Sequence, residues 1–420
     1  MIYCIHQRNK CFLWKYTLIP DDRFAQETAK AGDTMKIGLL GMGVVGSGVM
    51  EQLAGRQDIQ VKRVLTRRPR PELGALWTGS FDEILSDPEI DTIVEVMGGM
   101  DPAYDDVLRA LQAGKNVVTA NKWMLSYHLE ELRTIAQLRG VQLKFSASVG
   151  GGIPYLYNLA RLRHVDTIDA VYGIVNGTTN LILDTMQTGG ADFAEVLAQA
   201  QRAGYAEADP SADIDGLDAR SKLCIASSLA FGKYVDPETI NVEGIRRITR
   251  QDVSAFRKLG LVCRLIAHAE RVSMGRICAF VEPTLVHFNE VEASVHRNDN
   301  LISLIGRRVG LQSFFGQGAG KNPTAANVVL DLDAILSGSS PLAGAPIAGH
   351  AEIDNSQREH RYYVRTTSRL SVPAEKLRGN GDANLYLTYP MSIDRMHALA
   401  ASIRMRDQSL FFAGVRALEE

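Results

Sequence analysis

The stretch "MKIGLLGMGVVGSGVMEQLAG", Met35 to Gly55, constrains this chain more than any other. Lys36–Leu40 is a short apolar run that reads as a strand, and the residues beyond Gly46 read as a helix. Between them Gly41, Gly43 and Gly46 form G-x-G-x-x-G. In such a junction the three glycines serve in turn a tight turn, close approach to a pyrophosphate, and packing of the helix on the strand. The amides that open the helix then face the phosphates along the favourable end of its dipole. Gly41, Gly43, Val44, Val45 and Gly46 are therefore candidate cofactor contacts. A lone glycine-rich turn is equally a flexible loop; the surroundings decide. "IQVKRVLT", "DTIVEVMGG" and "NVVTANK" read as further strands, with the helix "AYDDVLRALQAG" among them. That alternation predicts an α/β fold with a Rossmann-type, doubly wound parallel sheet over residues 35–165.

The second strand ends at Thr66 and is followed by Arg67 and Arg68. An acid reading a ribose 2′-hydroxyl belongs at that end, and Asp58 sits at the other. Two arginines suit the 2′-phosphate of NADP, with NAD as the alternative; the bland reading is a solvated basic turn. Lys122 lies just past the strand Asn116–Thr119, where ligands of such sheets bind, although a lysine there is more often a loop residue. "VQLKFSASVGGGIPYL" runs into three glycines and Pro154. Free carbonyls in that turn could coordinate a hard monovalent cation, or the turn could simply cross between domains.

After residue 165 the pattern changes, which predicts a second, α+β domain over 166–314. "IDAVYGIVNGTTNLILDTM" reads as a strand, a polar turn at Asn176–Thr179, and a helix. "AGYAEADPSADIDGLDARSK" gathers Glu207, Asp209, Asp213, Asp215 and Asp218 and closes on Lys222. A helix starting near Asp215 puts Asp218 and Lys222 on one face with Ile225, Ala226 and Leu229, so the pair points inward. A surface salt bridge is the commoner meaning of that spacing. An inward pair is costly without a purpose, and a desolvated lysine beside carboxylates can pass a proton to a developing alkoxide. Glu207, free of that helix, can bind an α-ammonium group. The crowd of acids reads as a site for an amino-acid substrate.

On these residues the chain resembles the homoserine dehydrogenases. The family signature A-x-x-x-G, then D-P-x-x-D-aliphatic-x-G-x-D-x-x-x-K, is met by Ala200, Gly204, Asp209, Pro210, Asp213, Ile214, Gly216, Asp218 and Lys222. "GMGVVGSG", "VVTANK", "SVGGGIP", "GIVNGTTN" and "GQGAGKNPTA" add to it, over residues 36–340. The resemblance implies NAD(P)-dependent interconversion of L-homoserine and L-aspartate 4-semialdehyde, on the way to threonine, methionine and isoleucine. It implies Lys222 and Lys122 as catalytic lysines, with Asp218 as the partner of Lys222. Glu207, Tyr205, Gly177, Thr178 and Asp213 would line the substrate site. Arg67 would meet the 2′-phosphate, and Gly320, in a segment 315–340 returning to the first domain, would meet the cofactor. The carbonyls of Val149, Gly151 and Ile153 would hold a monovalent cation (Na or K), and a homodimer would form through the second domain.

Two departures stand out. Ser146 replaces the glutamate usual beside the cation. The tail, residues 358–420, resembles a shortened ACT-type module. It carries "HRYYVRTTS", "ANLYLTYP", the helix "SIDRMHALAASI" and "SLFFAGVRAL" after a Ser/Gly/Pro/Ala-rich linker (about 337–357), but lacks the Asp-x-Pro-Gly turn before a first helix. Residues 1–34 show no helix or strand periodicity; they read as a disordered tail or as sequence ahead of a start at Met35. The 46 basic and 48 acidic side chains give no footprint for nucleic acid or an anionic membrane. No apolar run reaches the roughly 18 residues of a membrane helix. Five cysteines without a C-x-x-C pair fit a reduced, cytoplasmic compartment and a small-molecule partner.

Overall fold

The computed structural model describes residues 34–273, 275–338, 347–378 and 383–416. The N-terminal extension up to residue 33 and part of the linker (339–346) lie outside them.

The first sheet is made of β1 (Met35–Leu40), β2 (Ile59–Leu65), β3 (Trp77–Thr78), β4 (Thr92–Glu95), β5 (Asn116–Thr119) and β6 (Leu143–Lys144). Their spatial order is β3-β2-β1-β4-β5-β6, and every pairing is parallel. This is the doubly wound order, and its direction reverses between β1 and β4, where such sheets bind ligands. Helices α1 (Val44–Leu53), α2 (Phe81–Leu85), α3 (Ala103–Gln112) and α4 (Lys122–Arg139) connect the strands. Ile37, Leu39 and Leu40 of β1 are fully buried, as a strand covered on both faces requires.

A turn at 149–154 and α5 (Tyr155–Leu162) lead to the second sheet. Its strands are β7 (Ile168–Ile174), β8 (Asn241–Val242), β9 (Leu261–Ser273), β10 (Arg276–His287), β11 (Asp299–Gly306) and β12 (Gly310–Gln317). The tail adds β13 (Glu352–Ile353), β14 (Glu359–Thr366), β15 (Ala374–Leu377), β16 (Asn384–Thr388), β17 (Met391–Ser392) and β18 (Phe411–Val415). The main path runs β12-β11-β7-β9-β10-β18-β14-β16-β15. The helices here are α6 (Gly177–Gly189), α7 (Phe193–Arg202), α8 (Ser211–Ile214), α9 (Leu217–Phe231), α10 (Arg250–Lys258), α11 (Lys321–Leu336) and α12 (Ile393–Arg404).

Two features differ from the sequence reading. The tail does not build a sheet of its own: β18 lies parallel to β10 and antiparallel to β14, so the last strand is threaded into the large sheet. After the loop 367–373 comes the strand β15 rather than a helix. The buried Arg365–Asp252 pair, at 2.9 Å, and the Tyr363 hydroxyl on Asp252, at 2.8 Å, fasten β14 to α10. Second, α9 is no amphipathic helix. Every residue from Asp218 to Phe231 is buried, because the helix lies among α4, α5, β7 and β9. Gly216, at φ +83°, starts it after the single turn of α8, two residues beyond the expected start.

Helix α11 runs back from β12 to α1. Ala325, Val328, Leu332 and Ile335 share a core with Ile37, Leu39 and Val49. A Cβ on Gly48 would lie 2.9 Å from the Lys321 carbonyl oxygen, so only glycine permits the contact.

Candidate active site

The three glycines after β1 differ in the space around them. Gly41, at φ +101°, makes the turn against the Val96 carbonyl. A Cβ on Gly43 would meet nothing within 4 Å, leaving the approach to the start of α1 open. A Cβ on Gly46 would overlap the Gly41 carbonyl, so the helix can seat on the strand only with glycine there. Val44 and Val45 open α1, with Val44 67% exposed. Nothing in this cradle opposes a pyrophosphate, and the amides at the helix start suit one. Arg67 and Arg68 are exposed beyond β2, and Gly320, at φ +128°, caps the start of α11.

Lys122 is the first residue of α4, beyond the carboxyl end of β5. The Asn121 side chain caps that helix by accepting from the Met124 amide at 3.2 Å, and it donates to the Gly99 carbonyl at 2.7 Å. The Gly98-Gly99 loop is held in turn by Glu95 at the end of β4. Its carboxylate accepts from the Met97 and Gly98 amides at 2.8 and 3.3 Å and from the Thr119 hydroxyl at 2.5 Å. Burial pushes the Glu95 carboxyl above the usual range. Sequence reasoning misses Glu95, whose one signal is an acid ending an otherwise apolar, buried strand.

Lys122 reaches across to Asp218, where Nζ lies 2.8 Å from Oδ1. Lys222, one turn along α9, places its Nζ 2.8 Å from Oδ2 of the same carboxylate and donates to the Val175 carbonyl at 2.6 Å. Asp218 is thus not the partner of Lys222 alone; it serves both lysines. Asn176, the N-cap of α6, donates from one amide to Asp213 at 2.7 Å and Asp218 at 2.8 Å, and accepts from the Thr179 amide at 2.8 Å. The polar turn after β7 and the acidic segment before α9 are joined through Asn176.

The environments of the two lysines differ. Lys222 is 7% exposed, in a small cavity lined by Tyr155, Val171, Val175 and Ile302. Burial lowers its pKa against the pull of Asp218. The Lys122 side chain is 43% exposed, and the charge of Asp218, assisted by Asp213 and Glu207, raises its pKa. Burial would raise the pKa of Asp218, but the two ammonium groups outweigh it and hold the carboxyl well below the usual range.

Glu207 and Tyr205 are exposed on the segment between α7 and α8, and Asp213 lies on α8. Thr178 donates to the Tyr205 carbonyl at 2.9 Å, tying that segment to α6. Gly177 has a packing reason of its own: a Cβ there would lie 2.6 Å from the Asn298 carbonyl oxygen.

Two of the three carbonyls expected to hold a cation are hydrogen-bonded to a side chain. The carbonyls of Gly151 and Ile153 are not free, because both accept from the side-chain amide of Asn327 on α11. Val149 borders the Lys222 cavity.

A carbonyl that gains a hydride must also gain a proton. The buried Lys222 could supply the proton, and Asp218 links it to Lys122 at the carboxyl end of β5, the edge of the sheet where such folds bind a cofactor. Fold and site together define a nicotinamide-dependent oxidoreductase. Family profiles agree: one described as homoserine dehydrogenase, NAD binding domain, matches residues 41–146, and one described as homoserine dehydrogenase matches 154–332. The chain is 42% identical to the homoserine dehydrogenase of Synechocystis sp. over 317 residues, covering 71% of this chain and 72% of that one. It is 38% identical to that of Bacillus subtilis over 357 residues, covering 81% and 82%. The crystal structure of a homoserine dehydrogenase from Thiobacillus denitrificans superposes with a TM-score of 0.81 at 31% identity, covering 91% of this chain and 98% of that one. The chain belongs to the homoserine dehydrogenase family and is an NAD(P)-dependent oxidoreductase.

Proposed function

We propose that this enzyme interconverts L-aspartate 4-semialdehyde and L-homoserine with Lys222 as the proton donor. The observation that carries this assignment is the buried Lys222, paired with Asp218 and lowered in pKa by its surroundings. A general acid works best when its pKa lies near the operating pH, and burial moves lysine that way. The nicotinamide, when bound, supplies the hydride to the aldehyde carbon. Lys222 gives its proton to the aldehyde oxygen as negative charge develops there. Asp218 fixes both lysines, Lys122 carries positive charge toward the reacting edge, and Glu207 meets the substrate α-ammonium. Asp213, Tyr205, Thr178 and Gly177 shape that end of the site. Gly41, Gly43, Val44, Val45, Gly46 and Gly320 would hold the cofactor. No cation enters this reading, because Asn327 already takes two of its carbonyls.

NADP is the favoured cofactor, on the exposed Arg67 and the absence of an acid at the end of β2. The cofactor domain spans 35–165 with 315–340 returning to it, supported by the core that α11 shares with α1; the substrate and dimerisation domain spans 166–314. Residues 358–420 are a reduced ACT-like module kept for packing, since β18 and β14 extend the large sheet. A homodimer through the second domain is favoured by the edge strand β12, whose Leu311 and Phe315 are 55% and 60% exposed. Among the described residues no helix is long and apolar enough to cross a membrane, and Cys224, Cys263 and Cys278 are buried thiols, which suits a cytoplasmic enzyme.

The test is NADPH oxidation with aspartate semialdehyde, in wild type and Lys222→Ala. Removing a general acid typically costs about a hundredfold to ten-thousandfold in turnover, with KM little changed. A wild type inactive on this substrate, or a Lys222→Ala variant of near-normal kcat, would refute the reading.

A further inference from the structure

The turn at 149–154 is held by a side chain where a cation was expected. Asn327 Nδ2 lies 3.2 Å from the Ile153 carbonyl oxygen and closer still to that of Gly151. Each of these oxygens spends a lone pair on that nitrogen, so an ion bridging them from the same side would have to displace it. Asn327 is 2% exposed and cannot swing out to solvent without opening the core.

The neighbouring charges point the same way. Ser146 directs its hydroxyl at the Asn327 backbone carbonyl, 3.2 Å away, rather than at the turn. The nearby carboxylate, Asp331 of α11, is engaged by the Ser146 amide at 2.8 Å. Burial pushes the Asp331 carboxyl up to about 7, which reduces the negative charge available to repay an ion's dehydration. A neutral amide satisfies the same carbonyls and brings no net charge.

We propose that Asn327 stands in the cation's place and that this enzyme works without a monovalent cation. The amide ties the domain-crossing turn to α11, and α11 packs on α1, the helix that opens beside the glycine cradle. Gly152 adds a second tie by donating to the Gln317 carbonyl at 3.2 Å. The turn leads on to Val149 and Tyr155, which border the Lys222 cavity. Asn327 is therefore a positioning residue, fixing the spacing between cofactor helix and proton donor. This inference rests on the homoserine dehydrogenase reading only for its rate measurement.

The experiment uses the full chain exchanged into choline chloride, then compared in NaCl, KCl and choline chloride at equal ionic strength. A ligand that binds only the folded state raises Tm by mass action, so the expected result is Tm within about 1 °C and rates within about twofold across the three salts. A saturable rise of Tm or rate with Na+ or K+, absent with choline, would overturn the proposal. The double substitution Ser146→Glu with Asn327→Ala is expected to create such a saturable rise. A folded double variant indifferent to both ions would show that Asn327 does not stand in a cation's place. Should the double variant fail to fold, the wild-type comparison decides alone. Because melting needs no catalysis, a wild type without turnover but with salt-independent Tm would defeat the activity assignment and leave this one standing.

Discussion

Asp218→Asn is the sharpest probe of the site, because it keeps the shape and removes the one charge two lysines share. Oδ1 faces Lys122, while Oδ2 faces Lys222 and the Asn176 amide, each at 2.8 Å. All three neighbours are donors, so the new NH2 group must point at one of them. Removing one partner of a buried pair typically costs about 3–5 kcal/mol. Lys122 is 43% exposed and can regain water, which places the cost at the low end, about 3 kcal/mol. With an unfolding entropy of about 2.1 cal/mol/K per residue, a chain of 420 residues loses about 3 °C in Tm for that cost. The pH dependence has a definite sign. Burial already lowers the pKa of Lys222, opposed by the charge of Asp218; without that charge the pKa falls further. Between this lowered folded value and the unfolded value of about 10.4, the unfolded chain holds more protons, so stability rises with pH. The Tm deficit against wild type should therefore shrink when melts at neutral pH are compared with melts at a more alkaline pH still below that unfolded value. Turnover should fall by about a hundredfold or more, since Lys222 loses the carboxylate that holds its ammonium in place. The assays are thermal melts of both proteins at the two pH values and initial rates of NADPH oxidation. A variant that melts with wild type, or whose deficit widens as pH rises, would show that Lys222 is not the buried charge balanced by Asp218.

Arg67→Ala should raise KM for NADPH by roughly tenfold or more while leaving KM for NADH near wild type, because a charge-assisted contact to a 2′-phosphate is lost; equal losses with both would return Arg67 to the role of a surface residue. Phe315→Glu, on the exposed face of β12, should shift a dimeric wild type toward monomer in sedimentation velocity, and a monomeric wild type would remove the dimer from the account. L-Threonine should inhibit weakly or not at all in initial-rate titrations, since the loop 367–373 precedes a strand and lacks a glycine to close around a small ligand; strong, saturable inhibition would show that the tail is a regulatory module.

The first sheet was legible because its signals are local: apolar runs, glycines and a helix period succeed one another along the chain. The inward pairing of Lys222 and Asp218 was legible for the same reason, the two being one turn apart on one helix. What escaped was non-local. Nothing in the sequence relates Lys122 to Asp218, since the ion pair exists only because α4 and α9 pack together. Asn327 was invisible as a donor to the 149–154 turn, because that contact depends on α11 doubling back to α1. The tail's strands could be read, but not the insertion of β18 between β10 and β14, since strand partners are chosen by the finished sheet. The burial of α9 on all sides was missed because its Ser, Ala and Cys residues pack inside without marking a stripe.

The two lysines look redundant in sequence, and their surroundings separate them. Both touch the same carboxylate at the same distance of 2.8 Å, so the pairing itself cannot distinguish them. For Lys122 the charge of Asp218 is the larger influence and the pKa rises; for Lys222 burial is larger and the pKa falls. Two titratable groups pushed in opposite directions by their environments are the usual mark of divided roles. In the proposed reaction the raised, half-exposed ammonium of Lys122 stays charged and holds charge in place. There the lowered, enclosed Lys222 is the one assigned to give its proton to the forming alkoxide. Asp218 makes this division possible because one oxygen serves each side, and the Asn176 amide keeps it turned so that neither lysine takes both.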